Sequence, residues 1–228
     1  MDTMICGGFS VIGSYHDTNQ DAFWAGKVSP GYLAVVSDGV GSCRFSGIGS
    51  KQLVKTVREL LEVPDISRDN ANAFAVRVEE NWKHSIGEHG YEISDCSATA
   101  LIAIWLEDSH STWLLRLGDG AVTAVFPKEP ATLCDTKEGR FVNMTDSLGA
   151  SYTPWEVKEI TEEIPKAVFL WTDGVSSEVE KEEIQSMARG LYEEYSGQPE
   201  EMIENDLSVW VPGLPGRDDK TLAFMIRR

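Results

Sequence analysis

Five aspartates, Asp21, Asp38, Asp119, Asp173 and Asp218, stand at turns or at the ends of apolar runs, where a carboxylate could do chemistry. Asp38, Asp119 and Asp173 are each followed by glycine, which lets a cation or its waters approach the backbone as well as the side chain. Short carboxylates and main-chain carbonyls are hard oxygen donors, suited to Mg²⁺ or Mn²⁺ rather than zinc. Several of them brought together would repel one another unless cations neutralised the charge. Taken singly, each Asp-Gly pair is first of all a turn signal, and spacing alone does not make the five converge. Asp119-Gly120, between two apolar runs, has the strongest reading of that kind, a tight hairpin.

The elements that must carry these residues follow from periodicity. Ile5 to Gly13, Asp21 to Val28 and Leu33 to Ser37 read as strands, the first two joined by a polar segment, Ser14 to Gln20. From Ser50, the residues Leu53, Val54, Val57, Leu60 and Leu61 recur at helical spacing until Pro64. A second helix, capped by Asp69 or Asn70, carries Phe74, Val78, Trp82 and Ile86 on one face. Ala98 to Leu106, Ser111 to Leu117, Ala121 to Phe126, Glu156 to Thr161 and Ala167 to Thr172 read as further strands. Pro127 to Thr153 reads as loop, with a short strand at Arg140 to Met144. Helices over Glu178 to Tyr195 and Pro199 to Trp210 precede a closing strand, Lys220 to Ile226. Runs of strands separated by helix pairs suit antiparallel sheets packed together under helices, not a doubly wound parallel sheet. No linker, low-complexity tract or internal repeat divides residues 1–228, so one domain is expected.

The chain has 20 basic and 37 acidic residues, a net charge of −17. That field repels nucleic-acid backbones and anionic membranes and accommodates cations in an acidic cleft. A surface kept soluble by its charge explains most of the excess, and Glu178 to Glu183 and Glu193 to Glu204 read as solvated helix faces. No apolar stretch is long enough for a membrane span, and the N-terminus lacks the basic region of a secretory signal. Cys6, Cys43, Cys96 and Cys134 show no metal-type spacing and are expected as reduced thiols in a cytoplasmic protein.

Six segments occur in one order along the chain: SYHDTNQDAF from 14, VVSDGVGSCRFSGIGS from 35, SATALIA from 97, RLGDGAV from 116, LWTDGVSS from 170 and GRDDKTLAF from 216. Together they resemble the type 2C, or PPM, metal-dependent serine/threonine protein phosphatases, most closely the compact bacterial members. The resemblance implies an α+β fold, a four-layer α-β-β-α sandwich with two central antiparallel sheets flanked by helix pairs. It also implies that Asp38 bridges two Mn²⁺ or Mg²⁺ ions, that the Gly39 carbonyl binds one, and that Asp173 and Asp218 complete the set. Asp21 and Gln20 would act largely through waters, and Asp119 would help to hold a weaker third ion. Water activated between the cations would then hydrolyse phosphoserine or phosphothreonine without a covalent intermediate.

The chain departs from the family pattern in three places. Val40 follows Asp38-Gly39 where many members have histidine, which leaves the general acid unassigned. His16 replaces a phosphate-binding arginine, and a phosphate contact and an idle loop histidine are both open for it. Ser177 stands where many members have another acid for the third ion. The expected partner is a phosphorylated protein, paired with a Ser/Thr kinase, acted on by a monomer; nucleic acid and membrane are not expected. A catalytically weak binding module and a phosphatase of non-protein phosphoesters stay open as alternatives.

Overall fold

Apolar runs buried on both faces build two antiparallel sheets in this computed structural model, which describes residues 3–29, 31–62, 70–134, 146–161, 163–176 and 179–228. In chain order the strands are β1 (Met4–Val11), β2 (Ala22–Val28), β3 (Gly31–Ser37), β4 (Ala100–Leu106), β5 (Ser111–Leu117), β6 (Ala121–Val125), β7 (Ala131–Cys134), β8 (Glu156–Ile160), β9 (Ala167–Trp171) and β10 (Lys220–Arg227). The helices are α1 (Ser46–Leu61), α2 (Ala71–Glu88), the short α3 (Asp173–Ser176), α4 (Lys181–Tyr195) and α5 (Glu200–Gly213). One sheet has the order β1-β10-β9-β6-β7 and the other β2-β3-β4-β5-β8.

Strand alternation sorts the side chains into three apolar layers. Leu33 and Val35 of β3, with Ile102 and Ile104 of β4, face α1 and α2, where Leu53, Val57, Phe74 and Trp82 complete the layer. Ala34 and Val36, with Leu101 and Ala103, face the opposite sheet, where they meet Val122, Ala124, Val168, Leu170 and Ala223. Phe169, Trp171 and Phe224 point outward under α4 and α5 onto Ile184, Leu191, Ile203 and Leu207. Continuous runs such as Ala100–Leu106 therefore lack polar alternation because both their faces are buried. Each fully buried side chain of this kind contributes about 1.5–3 kcal/mol. This is the expected α-β-β-α sandwich.

Several expectations are corrected. Asp119-Gly120 is no hairpin: β5 and β6 lie in different sheets, and the turn between them crosses from one to the other. Both of its glycines, Gly118 and Gly120, have φ of 96°. A crossing turn draws on the same left-handed glycines as a hairpin, so local sequence does not separate the two. The stretch read as loop after Pro127 contains β7, paired with β6 and tied to it by Thr123 and Thr132 hydroxyls 3.1 Å apart. A short 3-10 helix, Ile93–Cys96, is a further unexpected element. Helix α1 begins at Ser46, ahead of its apolar period, because Ser46 and Ser50 are buried against Gln20. The third long helix begins at Lys181, after a capping box between Glu180 and Glu183. The fourth runs past Trp210 through Pro212 to Gly213. Pro64, Asp69, the Arg140–Met144 strand and Ser177 lie outside the described residues.

Asn70 is the N-cap of α2, its side chain accepting from the Ala73 N–H at 2.9 Å. Asn70→Ala is expected to cost about 1 kcal/mol, read as a lower urea midpoint at unchanged slope. The four cysteines are free thiols. Among the described residues no helix is long and apolar enough to cross a membrane.

Candidate metal centre

Antiparallel register forces the aspartates toward one edge of the sandwich. Ala22 at the start of β2 pairs with Ser37 at the end of β3, so Asp21 and Asp38 flank one strand pair. In the other sheet, Trp171 at the end of β9 pairs with Leu222 of β10 and with Ala121 of β6. Asp173, the Asp218-Asp219 turn and Asp119 therefore emerge side by side. The β1-to-β2 connection crosses between the sheets at the same edge, since Val11 pairs with Lys220.

Short polar side chains lock this edge. The Asp38 N–H donates to Thr99 Oγ1 at 2.9 Å, and the Thr99 N–H returns to the Asp38 carbonyl at 2.8 Å. Thr172 Oγ1 donates to Asp21 Oδ2 at 3.1 Å and accepts the Thr221 N–H at 3.0 Å, tying one sheet to the other. Gly39 forms an isolated bridge with Ala98, and a Cβ there would lie 2.7 Å from the Ser46 carbonyl carbon. Gln20 gives its N–H to Asp219 Oδ2 at 2.7 Å, while its Oε1 accepts from Ser46 Oγ at 3.0 Å. Buried Arg116 donates to the Gly118 carbonyl at 2.5 Å and pairs with Glu156, fixing the turn that carries Asp119.

The acids feel one another's charge. Burial, then the charges of Asp21 and Asp173, pushes the Asp38 carboxyl well above the ordinary range. Burial raises Asp21 to about 7, with Asp219 adding to the rise and the Thr221, Asp38 and Thr172 bonds opposing it. Asp173 rises to about 6, through burial and then the charges of Asp218 and Asp119. Asp21, Asp38, Asp119, Asp173 and Asp218 thus belong to one cluster, and Gly39 adjoins it.

A divalent cation fits these residues on two counts. Asp21 Oδ1 and Asp173 Oδ1 are buried with no hydrogen-bond partner, each a cost of about 1–3 kcal/mol or more unless something positive faces it. The donors of the cluster are carboxylate oxygens, a hard set suited to Mg²⁺ or Mn²⁺.

His16, Asp218 and Asp219 form a second grouping on the rim, three potential ligand atoms within 4.8 Å of one another. The Asp218 side chain is 43% exposed and Asp219 only 2%. Asp219 accepts the Gly13 N–H at 2.7 Å on Oδ1 and the Gln20 N–H at 2.7 Å on Oδ2, and His16 Nδ1 lies 3.2 Å from Oδ2. Sequence reading picks Asp218 from this adjacent pair and misses Asp219, together with Thr99 and Thr172. The one available signal is the acid doublet itself. Thr172→Val should weaken Mn²⁺ binding about tenfold by freeing Asp21, as outer partners of metal ligands commonly do. Titration calorimetry showing unchanged affinity would contradict that role.

Comparison with known proteins gives the cluster its context. The family model for protein phosphatase 2C matches residues 14–210. The serine/threonine phosphatase Stp1 from Staphylococcus aureus superposes with a TM-score of 0.72 at 14% identity, covering 98% of this chain and 95% of that one. The catalytic domain of the serine threonine protein phosphatase PstP, in complex with 2 manganese ions, gives 0.69 at 17%, covering 100% and 99%. RsbX in complex with magnesium gives 0.66 at 15%, covering 99% and 96%. No curated protein sequence matches. At such identities these structures establish the fold alone, and the family rests on the family model. By that match, the chain belongs to the protein phosphatase 2C, or PPM, family of metal-dependent phosphatases.

Proposed function

We propose that the chain hydrolyses phosphoserine and phosphothreonine in proteins, with water as nucleophile and no covalent intermediate. The observation that carries this reading is the meeting of buried Asp21, Asp38 and Asp173, from both sheets, with two carboxylate oxygens lacking any donor. Two Mn²⁺ or Mg²⁺ ions held there would supply an activated water and neutralise the phosphoryl charge. Asp38, whose carboxyl feels both Asp21 and Asp173, would be a ligand common to the ions, with the Gly39 carbonyl, Asp173 and Asp218 completing the donors. Asp119, whose charge reaches Asp173, would help to hold a weaker third ion. Asp21, held by Thr172, would act on the ions largely through waters, while Gln20 uses its side chain to seat the loop on α1. His16 stands at the rim, where a phosphoryl group would enter.

Within this reading the substrates are proteins phosphorylated by a Ser/Thr kinase. The chain acts as a cytoplasmic monomer with one catalytic domain over residues 1–228. The test is phosphate release from matched phosphoserine, phosphothreonine and phosphotyrosine peptides and from p-nitrophenyl phosphate, with Mn²⁺, Mg²⁺ or chelator. Turnover of the first two peptides, lost on chelation, is expected. Turnover confined to the small ester, or undiminished by exhaustive chelation, would overturn the proposal.

A further inference from the structure

The most heavily used polar group at the site edge is the carboxylate of Asp219, which the sequence does not single out. Its Oδ1 takes the Gly13 N–H and its Oδ2 takes the Gln20 N–H, both at 2.7 Å. His16 Nδ1 approaches the same Oδ2 at 3.2 Å. A carboxylate offers only acceptors, so Nδ1 must carry the proton in that bond. Asp219 is itself held in place, through its own N–H to Asp218 Oδ1 at 2.9 Å and through the turn that buried Lys220 ties by donating to the Gly216 carbonyl at 3.1 Å. The far side of the imidazole looks across to the loop after Asp38: a Cβ built on Gly41 would lie 3.4 Å from His16 Nε2. Val40 on that loop brings no polar side chain, and Gly41 brings none at all.

We propose that Asp219 is a positioning residue, which fixes the His16 ring with Nδ1 turned inward and Nε2 presented to the phosphorylated side chain beside Gly41. The inference rests on the phosphatase reading above. With Nδ1 committed to Asp219, Nε2 is the one ring atom left for the substrate. Its direction is fixed, so Nε2 meets the phosphorylated side chain from the side of Gly41. The same carboxylate closes the loop from Gly13 to Gln20 onto the turn before β10, so the ring is oriented from a rigid base instead of a free loop.

The test is a double-mutant cycle on Mn²⁺-loaded protein with a phosphothreonine peptide. His16→Ala and Asp219→Asn are each expected to lower kcat/KM about 10- to 100-fold, the worth of a hydrogen bond to a charged group. The double variant should be no worse than the poorer single one. Multiplying losses would mean that Asp219 acts on the site independently of His16, and would overturn the proposal. Should Asp219→Asn fail to fold, Gly41→Val crowds Nε2 without touching the Asp219 bonds. It should likewise lower kcat/KM, with no further loss on adding His16→Ala; full activity in Gly41→Val would count against the assignment. A second readout needs no activity: ¹⁵N NMR of the Mg²⁺-loaded protein above neutral pH should show His16 as the Nδ1–H tautomer. An Nε2–H tautomer, or an Nδ1 resonance displaced by Mg²⁺, would overturn the positioning claim. A wild-type chain without metal-dependent phosphate release would sink the phosphatase reading instead, and the tautomer would still decide the geometry.

Discussion

Asp38→Ala is expected to lower metal-dependent phosphate release at least about a thousandfold while leaving the chain folded. Loss of one preorganised electrostatic group at a reacting centre costs about 10²–10³ in rate, and Asp38 is assigned to two cations at once. Its carboxyl is the one on which the charges of Asp21, Asp173 and Asp218 all act. The fold should survive because the Asp38 main chain is held by Thr99. The measurement pairs phosphate release at saturating Mn²⁺ with a circular-dichroism melt. Comparable turnover in a well-folded variant would remove Asp38 from the mechanism.

Asp38→Asn should raise the thermal stability of the metal-free protein and abolish the stabilisation that Mn²⁺ brings. The sign follows from linkage. Asp21 and Asp173 rise to about 7 and about 6, and burial with the charges of Asp21 and Asp173 holds Asp38 well above the ordinary carboxylate value too. Folded protein then binds more protons than unfolded, so the contribution of these groups is fully present below about pH 4. It is lost as pH rises through the folded values, between about 4 and 7. Metal-free protein should therefore melt lower at pH 7.5 than at pH 5, by an amount on the order of 10 °C for a few kcal/mol in a chain of this size. Saturating Mn²⁺ at pH 7.5 should restore the difference, since binding to the folded state alone stabilises it. Asp38→Asn removes the Asp38 share of the pH response together with the response to Mn²⁺, while Asp21 and Asp173, raised chiefly by burial, keep theirs. A melting temperature that rises with pH in chelator, or ignores Mn²⁺, would contradict this account.

Much of the scaffold is legible in the sequence because burial on two faces leaves a plain mark. Leu33–Ser37, Ala98–Leu106 and Ala167–Thr172 read as strands from continuous apolar residues, and Phe74, Val78, Trp82 and Ile86 define α2 by period alone. Pairing is not local and leaves no such mark. Gly118-Asp119-Gly120 has the composition of a hairpin, yet β6 pairs with β9 and β7 instead of β5. The four residues of β7 are too few to show a period, and their partner lies across a turn.

The site divides along the same line. Asp38 and Asp173 stand out because each ends an apolar strand with Asp-Gly, and the structure brings both into one cluster with Asp21. Asp218 and Asp219 are neighbours of one residue type, and only burial tells the exposed one from the one that binds three donors. Thr99 and Thr172 carry no signal of their own, since a threonine that holds a ligand reads like any strand threonine.

The central claim is that the acidic edge binds divalent cations through Asp38 and uses them on a phosphate ester. The most direct measurement titrates Mn²⁺ into metal-free wild type and Asp38→Ala, recording heat of binding and phosphate release from a phosphothreonine peptide on the same samples. Saturable binding and turnover that rise together in wild type and fail together in Asp38→Ala are predicted. Turnover without Mn²⁺ binding, or equal binding and turnover in both proteins, would contradict the account.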